Sequence, residues 1–101
     1  MDARIDLIID NLKEVYDPEI PVNIYDLGLI YNIDVDENNK ANVIMTLTAP
    51  GCPVADMLVE DTRQAALTVE GVEDAHVELT FEPPWDKSMM SEEARLELGF
   101  F

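Results

Sequence analysis

Between Ile5 and Tyr16 the apolar residues Ile5, Ile8, Ile9, Leu12, Val15 and Tyr16 recur three and four positions apart, the spacing of one buried stripe on a helix. This predicts a helix over roughly residues 3 to 15, ending near Asp17 because the ring of Pro18 disfavours helical geometry in the residue before it. Pro21 keeps the next stretch extended, so residues 17 to 27 read as loop. From Leu29 the period becomes two. Leu29, Tyr31, Ile33 and Val35 point one way and Ile30, Asn32 and Asp34 the other, as in a half-buried strand. A polar turn, Asp36-Glu37-Asn38-Asn39-Lys40, leads to a second alternation in which Ala41, Val43, Met45 and Leu47 oppose Asn42, Ile44, Thr46 and Thr48. The two strands form a hairpin, with Thr48 at the last position of the second.

Pro50-Gly51-Cys52-Pro53 breaks that pattern. Pro53 suits the first position of a helix, where its missing N–H costs nothing, and this makes Cys52 the expected N-cap. Val54, Met57, Leu58, Ala65 and Val69 give the new helix an apolar face, and Gly71 supplies the left-handed residue that ends it. Ala75, Val77, Leu79 and Phe81 then alternate with His76, Glu78, Thr80 and Glu82 until Pro83-Pro84 stops ladder bonding. Ser91 caps a short last helix whose first turn holds Glu92 and Glu93. The expected class is α+β: a two-layer helix-strand-strand-helix-strand domain with a small mixed sheet and a short C-terminal helix. It fills residues 1 to 101 as one unit, with 82 to 101 as a tail. The crossover from Thr48 to Val72 is long enough to make the third strand parallel to the second. Strand order is open at this stage.

Charge narrows the function classes. Six Lys and Arg against 22 Asp and Glu give a net charge of −16, which opposes phosphate-rich partners, so nucleic acid is not an expected ligand. With 48% hydrophobic residues the chain still has enough apolar surface to fold. The charged N-terminal stretch does not read as a secretory signal, and no uninterrupted apolar run approaches the ~18 residues of a membrane span. A single cysteine, Cys52, cannot make an internal disulfide and fits a reducing cytoplasm.

Chemistry concentrates on that cysteine. A thiol at a helix N-terminus faces unpaired N–H groups and the positive end of the dipole, which favour thiolate, the form that attacks electrophiles or binds metal. The excess negative charge opposes ionisation, and no Lys, Arg or His lies near it in sequence. Two readings stand: a packed small hydrophobe or a reactive sulfur. Thr48, four residues earlier, places its hydroxyl at the same end of the sheet. Asp17 and Glu19, in the proline-bounded loop, are the acidic candidates to join them as oxygen ligands or proton acceptors, or else a backbone cap and a solvated carboxylate. His76 reads as a surface residue on the polar face of the last strand. One cysteine and one histidine fall short of a four-ligand zinc site. No glycine-rich phosphate loop, Ser-His-Asp set or dinucleotide fingerprint is present.

DPEIPVNIYDLGLIY (17 to 31), TLTAPGCP (46 to 53), VEGV (69 to 72) and FEPPWDKSMMSEEARLELG (81 to 99), in that order, resemble the SufT/PaaD-type iron–sulfur cluster assembly domain family. That family in turn is similar to the targeting subunit of the eukaryotic cytosolic iron–sulfur assembly machinery. The resemblance implies a cytoplasmic role in maturing iron–sulfur proteins and a reactive cysteine, here Cys52. The family's other site positions fall on Asp17, Glu19, Ile20 and Thr48, with Asp26 also in the pattern.

The expected function is an accessory factor in iron–sulfur cluster assembly or delivery, without turnover chemistry. Cys52 would act as metal and cluster ligand or as covalent acceptor. One thiolate is one of the roughly four sulfur ligands a cluster takes, so the cluster is held transiently or not stably at all. Partners would be client proteins and cluster carriers or scaffolds, with a homodimer left open and neither nucleic acid nor membrane involved. The rivals are a cysteine-based redox sensor or small-molecule thiol enzyme with Asp17 or Glu19 as base, and a non-catalytic acidic adaptor.

Overall fold

In the computed structural model, which describes residues 2–17, 20–48 and 55–99, the elements run α1 (Ala3–Leu12), β1 (Ile30–Val35), β2 (Lys40–Met45), α2 (Ala55–Leu67), β3 (Asp74–Leu79) and α3 (Glu92–Leu98). This is the expected α+β order. The sheet order is β1-β2-β3, with β1 antiparallel and β3 parallel to β2, so the central strand belongs to both the hairpin and the crossover.

Alternation decides which face is covered. Ala41, Val43 and Met45 of β2 are buried, and the core around them takes Ile8 and Leu12 from α1, Leu58 and Ala66 from α2, and Ala75 from β3. The helices therefore share one face of the sheet. Polar links hold the layers together. Asn11 Nδ2 donates to the carbonyl of Ala65 (3.0 Å) and to Thr68 Oγ1 (2.9 Å), joining α1 to α2, and Arg63 Nε donates to the carbonyl of Ala75 (3.2 Å), joining α2 to β3. The opposite face carries Asn32, Asp34, Asn42, Ile44, His76 and Glu78. His76 is exposed there, as its polar-face position predicts.

The structure departs from the sequence reading at several boundaries. The first helix ends at Leu12, because the next N–H groups switch to three-residue spacing, Glu14 to Asn11 and Val15 to Leu12, which tightens and closes the last turn. β2 ends at Met45, so Thr48 lies three residues beyond the strand and not at its last position. One further pairing bond follows the strand, the Thr46 N–H donating to the carbonyl of Leu29 (2.8 Å), and Thr48 lies beyond it. Ile30 does not join Asn32 and Asp34 on the polar face. A bulge at Tyr31 puts Ile30 opposite Met45, and its side chain packs against the core. β3 stops at Leu79, before Phe81. The expected N-cap, Cys52, and the helix start at Pro53 lie outside the described residues.

The tail closes the domain. From the end of β3 it crosses to the opposite edge of the sheet, where Tyr31 Oη donates to the carbonyl of Pro83 and Trp85 Nε1 to that of Leu27, both at 2.7 Å. Ser91 caps α3 as expected, its Oγ accepting from the Ala94 N–H (3.1 Å), and Met90 and Ala94 are buried in the core. Gly71 adopts the left-handed φ of +93° expected of it.

Candidate functional site

The loop after α1 is folded on itself by backbone hydrogen bonds. Asp17 N–H donates to the Val22 carbonyl (3.4 Å), Val22 N–H to Ile20 (2.7 Å) and Ile24 N–H to Val15 (2.8 Å), and Tyr16 pairs with Asn23 as an isolated antiparallel bridge. Val22, Ile24 and Leu27 plug this loop into the core. It is a loop in backbone form only. Energetically it belongs to the interior, each fully buried aliphatic side chain contributing about 1.5–3 kcal/mol.

Asp17 is buried, with 7% of its surface exposed, and one carboxylate oxygen accepts the N–H of Ile20 (3.2 Å). Of the two roles the sequence left open, backbone capping is among those it performs. Ile20 is half-buried against the core. Thr48 is half-buried just past β2. Glu19 and Cys52 lie outside the described residues, as does Pro18.

What the structure does bring together is the two motif-bearing segments. The Thr46–Leu29 hydrogen bond fastens the exit of β2 to the end of the 17–31 motif. Within that motif Asn23 Oδ1 accepts the Asp26 N–H (2.9 Å) while its Nδ2 donates to Asp26 Oδ2 (2.7 Å). Asp26 then presents its carbonyl to the Ser91 N–H (2.8 Å), so it links the loop to the tail. Gly28 follows with a φ of +82°, and a Cβ there would stand 2.7 Å from the Met89 carbonyl carbon, so glycine is required twice over. Sequence reasoning did not single out Asn23, although its spacing of three residues before Asp26 is that of a side-chain-capped turn.

Beside this loop lies a hollow of about 260 Å³ lined by Tyr16, Asn23, Asp26, Glu93 and Glu97 among others. Its charged walls are all acidic. Among the described residues no group of three or more His, Cys, Asp or Glu is arranged to hold a metal ion, and no helix is long and apolar enough to cross a membrane. Buried among these segments, Thr46 Oγ1 has no hydrogen-bond partner among the described residues.

Residues 5–79 match a known family, that of iron–sulfur cluster assembly proteins. The chain belongs to this family. It is 60% identical over 93 residues to an "Fe-S protein maturation auxiliary factor" of Porphyromonas gingivalis, covering 92% of this chain and 89% of the relative. It is 36% identical to the maturation auxiliary factor SufT of Staphylococcus aureus, across 84% of this chain and 97% of that one. A domain of Bacillus anthracis solved by crystallography superposes with a TM-score of 0.90 at 40% identity, covering 98% of this chain and 94% of that one. The matched residues take in α1 from Ile5 on, the hairpin, α2 and β3, and end at Leu79, before the tail that Trp85 and Ser91 anchor.

Proposed function

We propose that this chain is an accessory factor in the maturation of iron–sulfur proteins, acting on client proteins and on the carriers or scaffolds that supply their clusters. The carrying observation is the Thr46–Leu29 hydrogen bond, which joins the exit of β2, in the motif that holds Cys52 in sequence, to the end of the 17–31 motif. The names of the related proteins support the same role.

In this reading the cluster is cargo. Cys52 loses its proton and its sulfur supplies one ligand to the cluster, and clients supply the rest, so the cluster passes on and is not retained. Thr48 and Asp17 share the family's site pattern with Cys52, and the net charge of −16 disfavours a permanent thiolate, which suits brief contact. Such a factor works in a reducing cytoplasm, where Cys52 stays a thiol. It has no turnover chemistry of its own.

Replacing Cys52 tests this. Cys52→Ala is expected to keep the far-ultraviolet circular dichroism and unfolding midpoint of the parent while cells carrying it as their sole copy lose activity of iron–sulfur enzymes. Full client activity in such cells would sink the proposal.

A further inference from the structure

β1 is an edge strand. β2 takes one side of it, and on the other side the outward N–H and C=O groups of residues 30–35 meet no hydrogen-bond partner among the described residues. An unpaired edge of this kind is a template for an added strand.

Two hollows open beside the same stretch. One, of about 250 Å³, lies between α1 and β1 and is walled by Ile5, Ile9, Tyr25 and Ile33. The other, of about 520 Å³, lies between β1 and the tail and is walled by Gly28, Pro83 and Met89. They share Ile30 and Tyr31. A strand rises about 3.3 Å per residue, so its alternate side chains stand about 7 Å apart, and both hollows border the same two adjacent residues of β1. Main-chain bonds for affinity with side-chain pockets for selectivity are the working parts of strand addition.

Charge selects the occupant. Asp34 is exposed on β1, and Asp6 and Asp10 are exposed on the neighbouring α1, against Lys13 held over the Tyr25 ring at 5.5 Å. A second copy of this chain would bring −16 against −16. We propose that the free edge of β1 takes up an extended segment of a partner protein as a fourth strand. Two of its apolar side chains fill the hollows, and lysines or arginines at its ends face Asp34 and the α1 carboxylates. This holds whether or not Cys52 carries a cluster.

The probe is a short capped peptide in which leucine alternates with threonine between terminal lysines, titrated against the full chain by fluorescence anisotropy and hydrogen exchange. Binding is expected to slow exchange at amides within residues 30–35. Two N-methylated forms of the peptide, each blocked along one edge, should differ by about tenfold or more in affinity, because only one edge faces β1. Replacing the leucines by serine should cost at least as much. Asp34→Lys should weaken binding about tenfold, and Asp61→Lys, an equal charge change on α2, less than about twofold. The proposal is overturned by absence of binding, by equal binding of the two N-methylated forms or of the serine peptide, or by equal effects of the two charge changes. It is also overturned if sedimentation shows the free chain to be a dimer with the β1 amides already protected.

Discussion

Thr46 and Thr62 are both fully buried, yet they are handled differently. Thr62 Oγ1 donates to the Leu58 carbonyl one helical turn back (2.7 Å), whereas Thr46 Oγ1 has no partner among the described residues. A buried polar group without a partner costs about 1–3 kcal/mol, and valine has nearly the shape of threonine. Thr46→Val is therefore expected to raise stability by about 1 kcal/mol in urea unfolding. A loss of similar size would show that the hydroxyl is partnered in solution. Asp36 is the opposite case. Its carboxylate accepts the N–H of Lys40 (3.1 Å) and of Asn38 (2.9 Å) and the side-chain amide of Asn42 (3.3 Å), with the Lys40 N–H the largest influence, and these hold its pKa below the ordinary 3.8. A carboxyl with a depressed folded pKa stabilises above its unfolded value and loses that contribution as pH falls through the folded one. Asp36→Asn keeps an acceptor oxygen for the turn, so unfolding midpoints measured at pH values above and below 3.8 should fall less steeply on the acid side than in the parent. An unchanged slope would remove Asp36 as a cause of acid sensitivity.

Among elements, the tail shows best why local sequence is a partial guide. Its prolines, its Ser91 cap and its helix are local features and were legible. Its docking was not, because it depends on Trp85 and Tyr31 meeting carbonyls more than fifty positions away in sequence. The bulge at Tyr31 was hidden for a similar reason. Strict alternation through Leu29–Val35 fits the sequence, and only pairing with β2 shows the extra residue that turns Ile30 to the core. Prolines made the 17–27 loop look like a spacer, although Val22, Ile24 and Leu27 carry part of the interior. Of the candidate site, the capping by Asp17 and the bend at Thr48 are now placed, whereas Cys52 and Glu19 lie outside the described residues. Gly28 links loop and tail at their closest approach. Gly28→Ala combines a left-handed φ, worth about 1–3 kcal/mol of strain, with overlap of the Met89 carbonyl. It should lower stability by at least about 2 kcal/mol and shift Trp85 emission to the red as the tail lifts. Unchanged emission and stability would mean that the tail does not depend on this contact.

The molecule as a whole spans 40 × 27 × 22 Å and carries a net charge of −16, so most of its carboxylates lie within reach of one another's fields. The two described ion pairs, Arg4 with Asp2 (2.8 Å) and Arg63 with Glu60 (3.3 Å), are partly exposed and offset little of this, since exposed pairs contribute only about 0–1 kcal/mol. Screening lengths set the test. At about 10 mM salt the Debye length of about 30 Å exceeds the two shorter dimensions of the molecule, and repulsion acts across the whole surface. At about 1 M it shrinks to about 3 Å, and only groups in contact still interact. Sodium chloride across that range should therefore raise the thermal midpoint, and charge-neutralising Asp6→Asn with Asp10→Asn on α1 should raise it at low salt and flatten the dependence. A midpoint that falls with salt would mean that the local pairs outweigh the global repulsion. The acidity would then have to be explained by binding to cationic partners rather than treated as a load the fold carries.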